Sequence, residues 1–145
     1  MTSKIMIGLD GHGSGERALA YATKLAKVIG SCELVVVYVI EWSPYSFQTP
    51  EENAERHKRR EEEISTAMDR VINPALASLK KAGFSAKGIV RHGHVADTLN
   101  DLSEEENAEQ IVVGRSTESG LIKRFFGSST ANLVMHANVP VTVVG

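Results

Sequence analysis

Residues 110–144, QIVVGRSTESGLIKRFFGSSTANLVMHANVPVTVV, decide the fold of this chain. Ile111 to Val113 is a short apolar run stopped by Gly114, the pattern of a buried strand delivering the chain into a loop. A second Val-rich strand begins at Val141, and the spacing predicts a helix from about Ser129 to Ala137 between the two. Gly127, Ser128, Ser129 and Thr130 then stand at the helix start. Hydroxyl residues there supply caps, and the free backbone N–H groups, with the positive end of the helix dipole, favour an anion. Two glycine-marked turns flanking a basic loop (Arg115, Lys123, Arg124) therefore read as a phosphate cradle, with a purely capping role for the hydroxyl residues as the alternative.

Upstream, Lys4 to Leu9 is a short apolar strand ending at Asp10-Gly11-His12-Gly13. Ser14 is placed to cap the helix that follows. Ala18, Ala22, Leu25, Ala26 and Ile29 recur at helical spacing, and Gly30 closes that helix. Leu34 to Ile40 is almost unbroken apolar sequence, as in a strand covered on both faces. Glu41 to Pro50 is an irregular insert with prolines and aromatics, either folded onto the body or offered to a partner. A long amphipathic helix follows, charged at its start and carrying Ile64, Met68, Val71, Ile72, Ala75, Leu76 and Leu79 on one face. Pro74 lies inside it and is expected to kink it near Arg70 or split it. Phe84 to Arg91 is a further strand, His92-Gly93-His94 a loop, and Val95 to Glu106 a helix with Val95, Leu99 and Leu102 inward. Strands alternating with helices predict an open α/β sheet of five parallel strands, helices on both faces, joined by right-handed crossovers.

The composition bounds what such a fold does. At 145 residues and 42% apolar, the chain is expected to form one compact domain. A net charge of −2 gives no reason to bind nucleic acid or an anionic membrane. No apolar run approaches the ~20 residues of a membrane span, and the first residues lack the apolar core of a signal peptide, so a cytoplasmic protein is expected. Cys32, the sole cysteine, excludes an internal disulfide and a cysteine-based zinc site. His92 and His94 are too few for a metal site without carboxylate or cysteine companions, so no metal is assigned.

In open α/β sheets ligands lie beyond the carboxyl ends of the strands. Asp10, Val39 to Glu41, His92 and Gly114 mark those ends, so the cradle shares a rim with Asp10. A carboxylate there can bond a ribose hydroxyl, or serve as an Asx-turn before the helix. The Val39 backbone can read an adenine edge. Gly11, Gly13 and Gly15 do not make a dinucleotide fingerprint, which needs glycine where Glu16 stands, and no G-x4-G-K-[S/T] loop occurs. A phosphorylated receiver fails on chemistry, because Asp10 has no acidic neighbour and the third strand ends at a histidine.

The segment quoted above resembles the nucleotide-binding members of the universal stress protein family, which carry G-x2-G-x9-G-[S/T] between the fourth strand and the last helix. Gly114 fills the first position, Arg115 and Ser116 the spacer, and Gly127-Ser128 the final pair. Thr117 departs from the second glycine; a β-branched residue tolerates φ > 0 poorly and obstructs close backbone approach. The resemblance runs nearly the length of the chain, through KIMIGLDGHGSGERAL, LVVVYVIE and HANVPVTVV. It implies one universal stress protein domain over residues 1–145, with an adenine nucleotide α-hydrolase-like or flavodoxin-like three-layer sandwich.

It further implies ATP or AMP, with or without Mg²⁺, as a regulatory ligand. The expected contacts are Gly8, Leu9 and Asp10 at the nucleoside, Val39 at the base, and Val113, Gly114, Arg115, Ser116 and Thr117 along the loop. Gly127, Ser128, Ser129 and Thr130 are expected at the phosphates. A homodimer through the strand of Val139 to Val144 is implied as well. Two alternatives stay open: a member that has lost nucleotide and acts as a dimeric interaction protein, and a slow ATPase or self-phosphorylating enzyme resting on Ser128 and Ser129. No catalytic residue is assigned.

Overall fold

The computed structural model describes residues 2–41, 49–115 and 121–145, with the backbone alone over 121–128. The strands are β1 (Ser3–Leu9), β2 (Cys32–Glu41), β3 (Ser85–Gly93), β4 (Gln110–Gly114) and β5 (Val141–Val144). The helices are α1 (Gly13–Ile29), α2 (Pro50–Ala67), α3 (Asn73–Lys81), α4 (Val95–Glu105) and α5 (Leu121–His136). The strands form one parallel sheet in the order β3-β2-β1-β4-β5. The chain thus winds outward from β1 to β3, returns to the other side of β1, and ends on β5 as an edge.

Alternation along the central strands divides the core between the two sheet faces. Ile5 and Ile7 of β1 with Leu34 and Val36 of β2 pack against Ala18, Ala22 and Ala26 of α1 and Ala75 and Leu79 of α3. Met6, Val35, Val37 and Val39 face the other way, onto Leu99 and Leu102 of α4 and Leu133 of α5. The small alanines of α1 let its axis lie close to the sheet. This brings its first turn against the ends of β1 and β4.

One boundary read off the sequence holds and two others differ. Pro74 does divide the long helix, and the division takes the form of a π turn over Met68–Ile72: the Asn73 N–H reaches back to Met68 O, five residues away. Proline has no N–H to offer Arg70, and the wider turn accommodates that loss. β3 continues through His92 and Gly93, which pair with Ile40 and Glu41 of β2, so the pairing partner sets its end. α5 begins at Leu121, eight residues before the expected start. Leu121 to Arg124 are good helix formers, and they carry the helix into Gly127, Ser128, Ser129 and Thr130, which occupy turns within it rather than its entrance.

Candidate functional site

The reversal of winding between β1 and β4 opens a crevice at the carboxyl ends of the strands, and a cavity of about 530 Å³ occupies it. Gly8 and Leu9 line it from β1 and Asp10 from just past its end, Val39 from β2, Val113 and Gly114 from β4, and Ser129 and Thr130 from α5. Arg115 follows β4 on the exposed side of the rim, where its N–H donates to Val144 O and its own carbonyl accepts from Arg17 Nη2, both at 2.7 Å. Gly127 and Ser128 lie along the backbone of α5, while Ser116 and Thr117 fall outside the described residues.

The lining also contains residues that sequence reasoning did not assign to it. Val95 and Leu99 of α4, Leu133 of α5 and Val37 of β2 give the cavity an apolar floor. The i,i+4 spacing of Val95 and Leu99 had marked them as inward-facing; that spacing carries no sign of whether an inward residue meets core or cavity. His12 joins the polar rim beside Glu41, which the sequence had already placed at the strand ends. Among the described residues the lining holds Asp10 and Glu41 but no Lys or Arg, so this end of the crevice suits an uncharged ring and hydroxyls. Tyr38 lies beside these acids, and burial, then the Asp10 and Glu41 charges, raise its phenol above the usual value of 10.0.

Asp10 accepts three hydrogen bonds from the turn that follows it. Its Oδ1 accepts the N–H of His12 at 2.8 Å and of Gly15 at 3.0 Å, and its Oδ2 accepts the Ser14 hydroxyl. Ser14 is therefore not the cap of α1. The helix begins at Gly13 after His12, which makes no side-chain cap bond, and the carboxylate of Asp10 satisfies the first turn instead. The bond to His12 is the Asx-turn foreseen as one of the two roles for Asp10. Glycine at 15 is what permits it: a β-carbon there would stand 2.8 Å from Oδ1.

His92 and His94 lie outside this lining. His92 Nε2 faces Glu63 Oε2 at 3.2 Å, and His94 precedes the first turn of α4. His136 is in the last turn of α5, its Nδ1 2.9 Å from Asn132 O. Cys32 is buried, and burial raises its thiol above the ordinary value. No helix among the described residues is long and apolar enough to cross a membrane.

The model of the universal stress protein family matches residues 1–145. Curated relatives at the head of the comparison, universal stress protein G of Shigella flexneri and of Escherichia coli O157:H7, are 40% identical over 55 residues. That stretch spans 38% of this chain and 38% of each relative's length. A longer match, 28% identical over 145 residues, covers 97% of this chain and 81% of a universal stress protein from Methanocaldococcus jannaschii. A solved universal stress protein in complex with cAMP is 25% identical, with a TM-score of 0.60 over 99% of this chain and 96% of that one. One from Archaeoglobus fulgidus in complex with dAMP is 20% identical, with a TM-score of 0.60 over 99% of this chain and 98% of its own, a likeness of fold.

Proposed function

This chain belongs to the universal stress protein family, and on that premise we propose that it holds an adenine nucleotide, ATP or AMP, as a regulatory ligand in the crevice between β1 and β4. The observation that carries the reading is the meeting of Asp10, Val39 and Gly114 on one cavity of about 530 Å³ with an apolar floor. That volume is typical of small-molecule pockets. The base enters the slot between Val37, Leu99 and Leu133 and is read by the β2 backbone at Val39. The ribose turns toward Asp10, and the phosphates leave along Gly114, Arg115, Ser116 and Thr117 toward Gly127, Ser128, Ser129 and Thr130. The complexes of related proteins with cAMP and dAMP support an adenine ligand.

Residues 1–145 are read as one universal stress protein domain acting in a stress response from the cytoplasm, where an unpaired, buried Cys32 is at home. The unit is a homodimer formed through β5. This strand is the sheet edge, with Val143 39% exposed, and α5 before it leaves Val134 and Met135 exposed as well.

A second reading, an interaction protein without nucleotide, draws on one observation. Gly127, Ser128, Ser129 and Thr130 lie inside α5, where backbone amides are spent on the helix. One experiment separates the two. Denature the purified protein, analyse the supernatant for nucleotide, and follow melting with ATP and AMP, with and without Mg²⁺. Ligand at about 100 times its dissociation constant adds about 2.7 kcal/mol of stability. Bound or stabilising nucleotide is the expected result; its absence in every condition leaves the interaction protein.

A further inference from the structure

We propose that Ser14 is a positioning residue for Asp10, and that it leaves this carboxylate able to read a single ribose hydroxyl. The inference rests on the nucleotide reading above and narrows it. A carboxylate offers about four acceptor sites. Three are filled from His12 and the first turn of α1: Oδ1 by the His12 and Gly15 N–H groups, and Oδ2 by the Ser14 hydroxyl. What remains is one lone-pair direction on Oδ2. With both N–H bonds on the other oxygen, the carboxylate cannot turn to present its two oxygens to the two hydroxyls of a ribose.

Ser14 is itself held. It is 6% exposed, and the end of β4 packs onto its backbone, since a β-carbon on Gly114 would lie 2.0 Å from Ser14 O. The hydroxyl that aims Asp10 therefore sits on a turn wedged between β1 and β4, and Asp10 and Ser14 both line the cavity. A ligand must complete this set with one O–H donor, because every other acceptor site faces an internal donor.

The test uses the whole protein with AMP, 2′-deoxy-AMP, 3′-deoxy-AMP and 2′,3′-dideoxy-AMP, each titrated by calorimetry. One of the two monodeoxy ligands is expected to bind about ten- to hundredfold more weakly than AMP, the range for a hydrogen bond to a charged group. The other should match AMP, and the dideoxy ligand should lose no more than the weaker monodeoxy one. Ser14→Ala, which removes a hydroxyl and adds nothing to the turn, should shrink that discrimination while dideoxy-AMP binds as before. A structural loss would weaken all four ligands together and overturn the positioning role. Loss of affinity with both monodeoxy ligands, or with neither, would overturn the single-hydroxyl reading, as would discrimination that survives in Ser14→Ala. A wild-type protein that binds none of the four overturns the nucleotide reading itself, and this inference with it.

Discussion

Gly114, the last residue of β4, and Ser14, in the first turn of α1, touch backbone to backbone: a β-carbon on Gly114 would fall 2.0 Å from Ser14 O and 2.5 Å from its carbonyl carbon. Rotamer changes relieve nothing here, because the obstructing atoms are main chain. Gly114→Ala must push α1 away from the sheet. We expect it to cost about 3 kcal/mol, the upper range of overpacking, measured as a fall in urea midpoint at constant slope. Since α1 also supplies the donors to Asp10, AMP affinity should fall in parallel. A loss below about 0.5 kcal/mol would mean that the contact relaxes freely.

At the opposite edge of the sheet, Glu106 lies 2.8 Å from Lys87 and 4.0 Å from Lys4. The Lys87 hydrogen bond, with the Lys87, Lys4 and Arg91 charges, holds its carboxyl below the ordinary value of 4.5, against a smaller opposing effect of desolvation. As pH falls, the unfolded chain takes up this proton first. The stabilisation is thus complete above about pH 4.5 and disappears as pH drops through the lowered folded value. Glu106→Gln should cost less than about 1 kcal/mol at pH 7, as the partner Lys87 is largely exposed. Urea midpoints of the two proteins should converge as pH falls below about 4.5. A gap that is constant over this range would place the effect in packing instead.

Much of the architecture was legible because parallel strands buried on both faces read as unbroken apolar runs, as Leu34 to Ile40 does. Gly30 also behaved as read, with φ of 91° and its N–H on Ala26 O. Misreadings came where local chemistry admits two uses of the same residue. Ser14 looked like a cap, yet its hydroxyl turns to Asp10, and only the fold reveals that a residue three before the helix does the capping. Gly127 to Thr130 looked like a helix entrance because each is a poor helix former. The stronger formers ahead of them, from Leu121, set the start instead. The apolar floor of the cavity was hidden for a similar reason: Leu99, 2% exposed, reads as ordinary core.

Among the described residues β5 bonds β4 on one side only and so presents a sheet edge, and Val143 stands 39% exposed on it. A lysine on an edge strand discourages pairing with another chain. Val143→Lys should convert the proposed dimer into a monomer by light scattering at micromolar concentration, with the monomer's melting transition still cooperative. A dimer that persists at the same dissociation constant would move the interface away from this strand.

The position of Gly127 allows the two functional readings to be tested within one variant. It lies seven residues into the chain of α5, inside the helix, where glycine costs roughly 0.5–1 kcal/mol relative to alanine. Gly127→Ala should therefore stabilise the ligand-free protein by about that amount, raising its melting temperature by about 2–5 °C. A phosphate cradle, by contrast, needs free amides near Gly127 and Ser128, which α5 can supply only by unwinding its first turns. Strengthening the helix then taxes phosphate binding by the same energy, about two- to fivefold in ATP affinity, while adenosine, which has no phosphate, binds unchanged. Equal ATP affinity in the two proteins, together with the higher melting temperature, would show that the phosphates leave the crevice without engaging this helix.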